Sequence, residues 1–175
     1  LLSSEALARV RGGTLDASFY FGDQPDADVT SVPLRDIVYH VALPVAWAGE
    51  LLEAPWAAVA QKPWIVAPEP STHRQLVLGL FRDRTPAPEQ IVEADNESVI
   101  HNLVESGFGV SLVRDEISMP SVEAGRSAIW PGERVTTKLW LVHLADRNAD
   151  PLLTALVDAL RGVWPDATAP GSLGG

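Results

Sequence analysis

The stretch "LVESGFGVSLVR", residues 103–114, decides how the chain around it is built. Two glycines flank Phe108, and an apolar run follows at once. Loops that hold phosphates run strand, glycines, helix, so that N–H groups at the helix start face the anion. Here the order is reversed. A helix over about 97–105, with Val99, Leu103 and Val104 inward, runs into Gly107, and "GVSLV" follows as a strand. Gly107 suits the left-handed residue that closes a helix, and Gly109 lets the next strand begin close against its neighbour. The stretch carries no chemistry of its own.

Outward from it, helix and strand signals alternate, which marks an α/β fold with a mainly parallel sheet. Upstream, the strand "EQIVEA" and the cap region "DNES" precede the 97–105 helix. Before them come the strand "PWIVAP", a turn at Glu69-Pro70, and a helix over 72–81 that stops before Pro86. Ser71 or Thr72 caps that helix, and Leu76, Leu80 and Phe81 form its inner stripe. Nearer the start, Ser3 or Ser4 caps a helix with Leu7 and Val10 on one face, Gly12-Gly13 ends it, and the strand "LDASFYFG" follows. "VPLRDIVYHVALPVAW" is too long for a strand of about 5–6 residues, so it predicts a chain crossing between two subdomains, at Arg35-Asp36. "GELLEAPWAAVAQ" reads as a partly helical surface excursion. Downstream of residue 114, a short helical segment at 115–117 and a Pro/Gly-rich loop lead to the strand "KLWLVHL". The last helix, "DPLLTALVDALRGVW", has Asp150 as cap, Pro151 in its first turn, and Leu153, Leu156, Val157 and Leu160 as its stripe. The tail "ATAPGSLGG" has the composition of a flexible end.

The 175 residues amount to one or two ordinary domains, long enough to bury a real core. Net charge is -10, from 23 acidic and 13 basic residues. Such a surface repels a polyphosphate backbone, so contact with DNA has to come from a segment outside this chain. No cysteine is present, which excludes disulfides and thiolate metal sites and fits the cytoplasm. No apolar run approaches the roughly 20 residues that span a bilayer, and the first residues lack a signal-peptide pattern.

Chemistry-bearing motifs are few. His40, His73, His101 and His143 are scattered, with no pair at ligand spacing, so no metal is expected. Asp95, Glu97 and Glu105 surround one helix and suit a solvated helix start better than an acid/base pair. No Gly-x-Ser-x-Gly occurs, and no nucleophile and base converge, so the chain is expected not to be an enzyme. The six tryptophans are spread along the chain, as packing residues are. What remains is a set of helix starts at the carboxyl ends of strands, where free N–H groups favour an anion or a carbonyl.

The segments "LSSEALARVRGGTLDASFYFG", "VPLRDIVYHVALP", "KPWIVAPEPSTHRQLVLGLF" and "IVEADNESVIHNLVESGFGVSLV" stand in an order and spacing that resemble the effector-binding domain of LysR-type transcriptional regulators. The similarity spans nearly all of residues 1–165. It implies an α/β, periplasmic-binding-protein-like fold (type II) of two Rossmann-like subdomains joined by two crossing strands. Subdomain I would comprise 1–36 and 146–175, and subdomain II 37–145. The family's winged helix-turn-helix is missing from this chain, as is the first strand-helix unit of subdomain I. Arg114 stands where the family's pattern has proline.

The resemblance further implies an effector-sensing domain that binds a small, anionic metabolite in a cleft between subdomains, without a cofactor. Its partners would be a second copy, as homodimer or homotetramer, and DNA only through the absent N-terminal domain. The same matching turns Ser3, Phe21 and the loop from Pro68 through Ser71 and Thr72 to His73 toward the ligand. Each has a plainer role: Ser3, Ser71 and Thr72 as helix caps, Phe21 as core, His73 as an exposed side chain. Arg35 either lines the cleft or pairs with Asp36 or another surface carboxylate. A stand-alone solute-binding protein of the same fold is the alternative.

Overall fold

The computed structural model describes residues 3–25, 27–82, 84 and 87–164. The expected helix stop at Pro86 and the tail at 167–175 lie outside the described residues. The chain begins with α1 (Ser3–Arg11), β1 (Ala17–Gly22) and β2 (Val29–Pro44), followed by α2 (Ala48–Leu51) and α3 (Trp56–Ala60). Then come β3 (Trp64–Val66), α4 (Thr72–Phe81), β4 (Ile91–Glu93), α5 (Glu97–Glu105) and β5 (Ser111–Arg114). Last are α6 (Asp115–Glu123), β6 (Ser127–Leu144) and α7 (Pro151–Val163).

Two compact units result, unit 1 of Leu1–Ile37 with Thr137–Gly175 and unit 2 of Val38–Thr136. The second boundary falls inside β6, whereas the sequence suggests 145/146, after that strand. A continuously hydrogen-bonded strand carries no loop at which a sequence reading can divide it. Strand β6 itself starts at Ser127, far upstream of the expected "KLWLVHL", and runs for 18 residues through Pro131 and Gly132. Likewise α6 continues through Pro120 to Glu123 instead of ending near Ile117.

In unit 1, β1 pairs antiparallel with β6, with Ala17 opposite His143 and Gly22 opposite Lys138. This differs from the expected parallel pairing. The chain returns to this unit by the long strand β6 rather than by a crossover helix, and only a crossover brings the next strand back in the same direction. Helix α1 buries Leu7 and Val10 against Val29, Trp140 and Val142. It ends as expected at glycines, with Gly13 at φ +69. Helix α7 is capped by Asp150, whose Oδ1 accepts the Leu152 N–H at 2.9 Å. Its expected stripe is only partly inward: Leu153 is buried, Val157 and Leu160 are half-buried, and Leu156 is exposed. Apolar residues stand on several sides of this helix, so periodicity alone does not choose among them.

In unit 2, β3 and β4 are parallel, and Val110, just before β5, bridges to Trp64 in parallel as well. Strand β2 closes the set antiparallel to β5, from Tyr39 opposite Arg114 to Ala42 opposite Ser111. The core gathers Ala42, Ile65, Ala67, Ile100, Val104 and Val113. Helix α5 buries Ile100, His101 and Val104 and leaves Val99 45% exposed, which reverses the expected placing of Val99. The sequence offers adjacent apolar pairs, Val99-Ile100 and Leu103-Val104, so two stripes compete and packing on the strands selects one.

The 103–114 stretch behaves as its glycines require. The N–H of Phe108 donates to the Leu103 carbonyl and that of Gly107 to the Val104 carbonyl, both at 3.0 Å, with Gly107 at φ +85. These are the paired bonds of a Schellman closure. A Cβ on Gly109 would stand 2.6 Å from the Pro63 carbonyl oxygen, so the strand approach excludes a side chain there. Three tryptophans far apart in sequence converge in this unit. Trp56 meets its neighbours edge-on or tilted, with ring centroids 5.8 Å from Trp64, 5.1 Å from Phe81 and 5.6 Å from Trp130.

Candidate functional site

The loop between β3 and α4 is organised by its own polar groups. Ser71 takes an extended backbone and its Oγ accepts the Arg74 N–H at 3.2 Å, so the capping role is filled. The side chain next to it, His73, turns inward rather than to solvent. Its Nδ1 accepts the Ala67 N–H at 3.2 Å, and its Nε2–H donates to the Leu112 carbonyl at 2.9 Å. Ser111 supports the same point, donating from Oγ to the Ile65 carbonyl at 2.6 Å. Burial pushes the His73 imidazole below its ordinary value, against the opposing pull of the Leu112 carbonyl and Glu97. The ring is thus a neutral clasp between the ends of β3 and β5, and both its nitrogens are committed to backbone. It carries no charge for an anion.

The end of β5 carries a cation that is already paired. Arg114 forms a two-point ion pair with Glu97 in the first turn of α5, Nε to Oε1 at 2.7 Å and Nη2 to Oε2 at 2.5 Å. The two side chains retain 30% and 24% of their exposure, so the pair is shielded without being sealed. Burial opposes the charge on Arg114, and Glu97 more than offsets it, so its pKa is raised. Tyr39 on β2 packs its ring edge-on to His73, centroids 6.3 Å apart. Burial, reinforced by the Glu97 charge and opposed by that of Arg114, pushes the phenol up to about 12. Among the described residues its hydroxyl has no hydrogen-bond partner. Helix starts, an arginine and a free phenol therefore meet at the carboxyl ends of β3 and β5, where α/β units hold small ligands.

The outer side of the same loop is different in character. Arg74 is held by Glu93 at 2.5 Å and Glu69 at 3.3 Å, and so offers no spare charge. It lines a small cavity of about 170 Å³ with Glu69, Pro70, Ser71, Gln75 and Leu78. The Glu69-Pro70 peptide is cis, and Pro68 and Thr72 are half-buried.

Of the sequence-predicted residues, Pro68, Ser71, Thr72 and His73 thus share one loop of unit 2. In unit 1, Ser3 stands inside the first turn of α1 rather than before it, and its Oγ accepts the Phe21 N–H at 3.1 Å, tying helix to strand. Phe21 is half-buried on β1. Arg35 is half-buried on β2, while its neighbour Asp36 is taken by Lys138 at 2.6 Å. Tyr39, Ser111 and Arg114 are absent from the sequence prediction, whereas Glu97 enters it as an acid at a solvated helix start. For Arg114 a signal existed, since it occupies a position where the resembling pattern has proline. The others lie far apart in sequence and carry no local mark.

Among the described residues no group of three His, Cys, Asp or Glu side chains could hold a metal ion. None of their helices is long and apolar enough to cross a membrane.

Known structures share this fold. ArgP from Mycobacterium tuberculosis superimposes with a TM-score of 0.79 at 11% identity, over 95% of this chain and 57% of that one. The regulatory domain of HypT from Salmonella typhimurium gives 0.76 at 15%, over 94% of this chain and 80% of that one. Full-length LysG from Corynebacterium glutamicum with bound effector Arg gives 0.74 at 14%, over 97% and 58% respectively. The chain thus spans little more than half the length of the full-length regulators it resembles. No curated protein sequence matches it. The family model of the LysR substrate binding domain matches residues 1–165. Together with the mixed sheets and flanking helices, this makes the fold periplasmic-binding-protein-like, and the chain belongs to the LysR substrate binding domain family.

Proposed function

We propose that the chain is the effector-sensing domain of a LysR-type transcriptional regulator and performs no catalysis. The observation that carries the reading is the meeting of the unpartnered Tyr39 hydroxyl with Arg114 and the starts of α4 and α5. An effector with a carboxylate or similar small anion suits that set: it exchanges with Glu97 for the Arg114 guanidinium, first-turn N–H groups favour its negative charge, and the phenol donates a hydrogen bond. Ser71, Thr72 and Pro68 shape the loop, and His73 holds it in register. Within unit 1, Ser3, Phe21 and Arg35 are the contacts this reading assigns.

Binding regulates only if the effector prefers one state of the protein, since equal affinity shifts nothing. In the same reading the protein works in the cytoplasm as a homodimer or homotetramer, and a separate segment contacts DNA. The surface charge of -10 fits that division of labour.

The test is a thermal-shift screen of small carboxylates against the purified chain, followed by calorimetric titration of any hit. A ligand at 100 times its Kd stabilises by about 2.7 kcal/mol, which raises Tm by roughly 5–10 °C for a chain of this size. Affinity left unchanged by Arg114→Met, Ser71→Ala and Thr72→Ala alike removes this loop and strand end from the site.

A further inference from the structure

Unit 1 holds a cavity of its own, about 450 Å³, between α7 and the strands β2 and β6. That size lies within the range of small-molecule sites. Its apolar lining is Val32, Leu153 and Val157. Most of its polar lining is exposed or already paired: Thr30 donates to Asn148 at 2.6 Å, Thr154 to the Asp150 carbonyl at 3.1 Å, and Arg161 to Asp158 at 3.1 Å. One group differs. His143 lines the cavity and is only 4% exposed. Its Nδ1 lies 2.9 Å from the Leu144 carbonyl, which can only accept, so Nδ1 carries the proton. In the neutral ring Nε2 therefore presents a lone pair, and among the described residues nothing donates to it.

We infer that this cavity is a second small-molecule site, taking a neutral, flat aromatic compound with one N–H or O–H donor, the donor bonding to His143 Nε2 and the ring lying on Val32, Leu153 and Val157. His143 is the one buried polar side chain of the lining, and its Nε2 is left unsatisfied among the described residues. An aromatic donor satisfies the single acceptor and covers the apolar wall together. Anions are disfavoured, because Arg161 is engaged with Asp158 and the chain is strongly acidic. This site is independent of the loop in unit 2.

Indole and 1-methylindole are the probes, nearly equal in shape and differing in the single donor. Titrated into the ¹⁵N-labelled chain, indole is expected to produce saturable amide shifts at Val32, His143, Leu153 and Val157, leaving 67–74 unmoved. The methylated probe should bind about tenfold more weakly, the loss expected for one hydrogen bond. His143→Phe should erase that difference. Thr154→Trp, at an exposed rim position that leaves the core untouched, should block both probes. Equal affinities for the two probes, shifts that never saturate, or shifts confined to 67–74 overturn the assignment.

Discussion

His73 Nε2 and the carbonyl of Leu112 lie 2.9 Å apart, and through this bond the first turn of α4 is fastened to the neighbouring strand β5. The ring's other nitrogen takes the Ala67 N–H, so one side chain bridges two strand ends. Replacing it by alanine leaves two buried backbone groups unpaired and should cost about 2–4 kcal/mol, read from urea midpoints.

The same side chain sets an acid limit. Its folded pKa is lowered by burial, so below the unfolded value of about 6.5 the unfolded chain binds a proton that the folded chain refuses. Stability is full above that pH and is lost as pH falls toward the folded value. In His73→Gln the slope of stability against pH between 7 and 5 should shrink. Part of it should remain, because burial lowers His40 as well.

Tyr39 sets the alkaline counterpart. Of the two tyrosines in the chain, it should ionise near 12 in a spectrophotometric titration at pH-jump speed. Its folded value is raised, so its contribution is complete below about 10 and disappears as pH climbs from there to 12. Tyr39→Phe should remove the late titration step while leaving the neutral-pH fold intact.

Arg114→Met should weaken any effector of the Tyr39 site by about tenfold or more, the scale of one charge-assisted contact. It should also cost roughly 1–3 kcal/mol of stability, because Glu97 is left half-buried without its partner. Arg114→Lys should restore much of the stability and less of the affinity, since the ammonium does not reproduce the two-point geometry.

The phase of α5 is open to a direct comparison. Ile100→Ala should destabilise by about 2–5 kcal/mol, and Val99→Ala by under about 0.5, in denaturant titration. Similar losses at the two positions would mean that the helix is rotated from the orientation described.

Caps and glycines were legible because their reasons are local. Ser71 before α4, Asp150 and Pro151 at α7, and Gly107 after α5 each answer to backbone groups only a few residues away. The order of segments added the family. Where the chain offered neighbouring apolar pairs, as at Val99-Ile100, or apolar residues on several sides, as in α7, periodicity left more than one answer.

Sequence alone therefore determined the caps of α4 and α7 and the glycine ends of α1 and α5, that strand and helix alternate around the 103–114 stretch, and which family the pattern resembles. Only the tertiary structure decided that His73 faces inward as a neutral clasp, that β6 runs unbroken from one unit to the other, and that residues 39, 97 and 114 converge. The physical reason is range. Capping and turn preferences are settled by hydrogen bonds within a few residues, whereas burial, ion pairing and the tautomer of a histidine depend on groups that only the folded chain brings together.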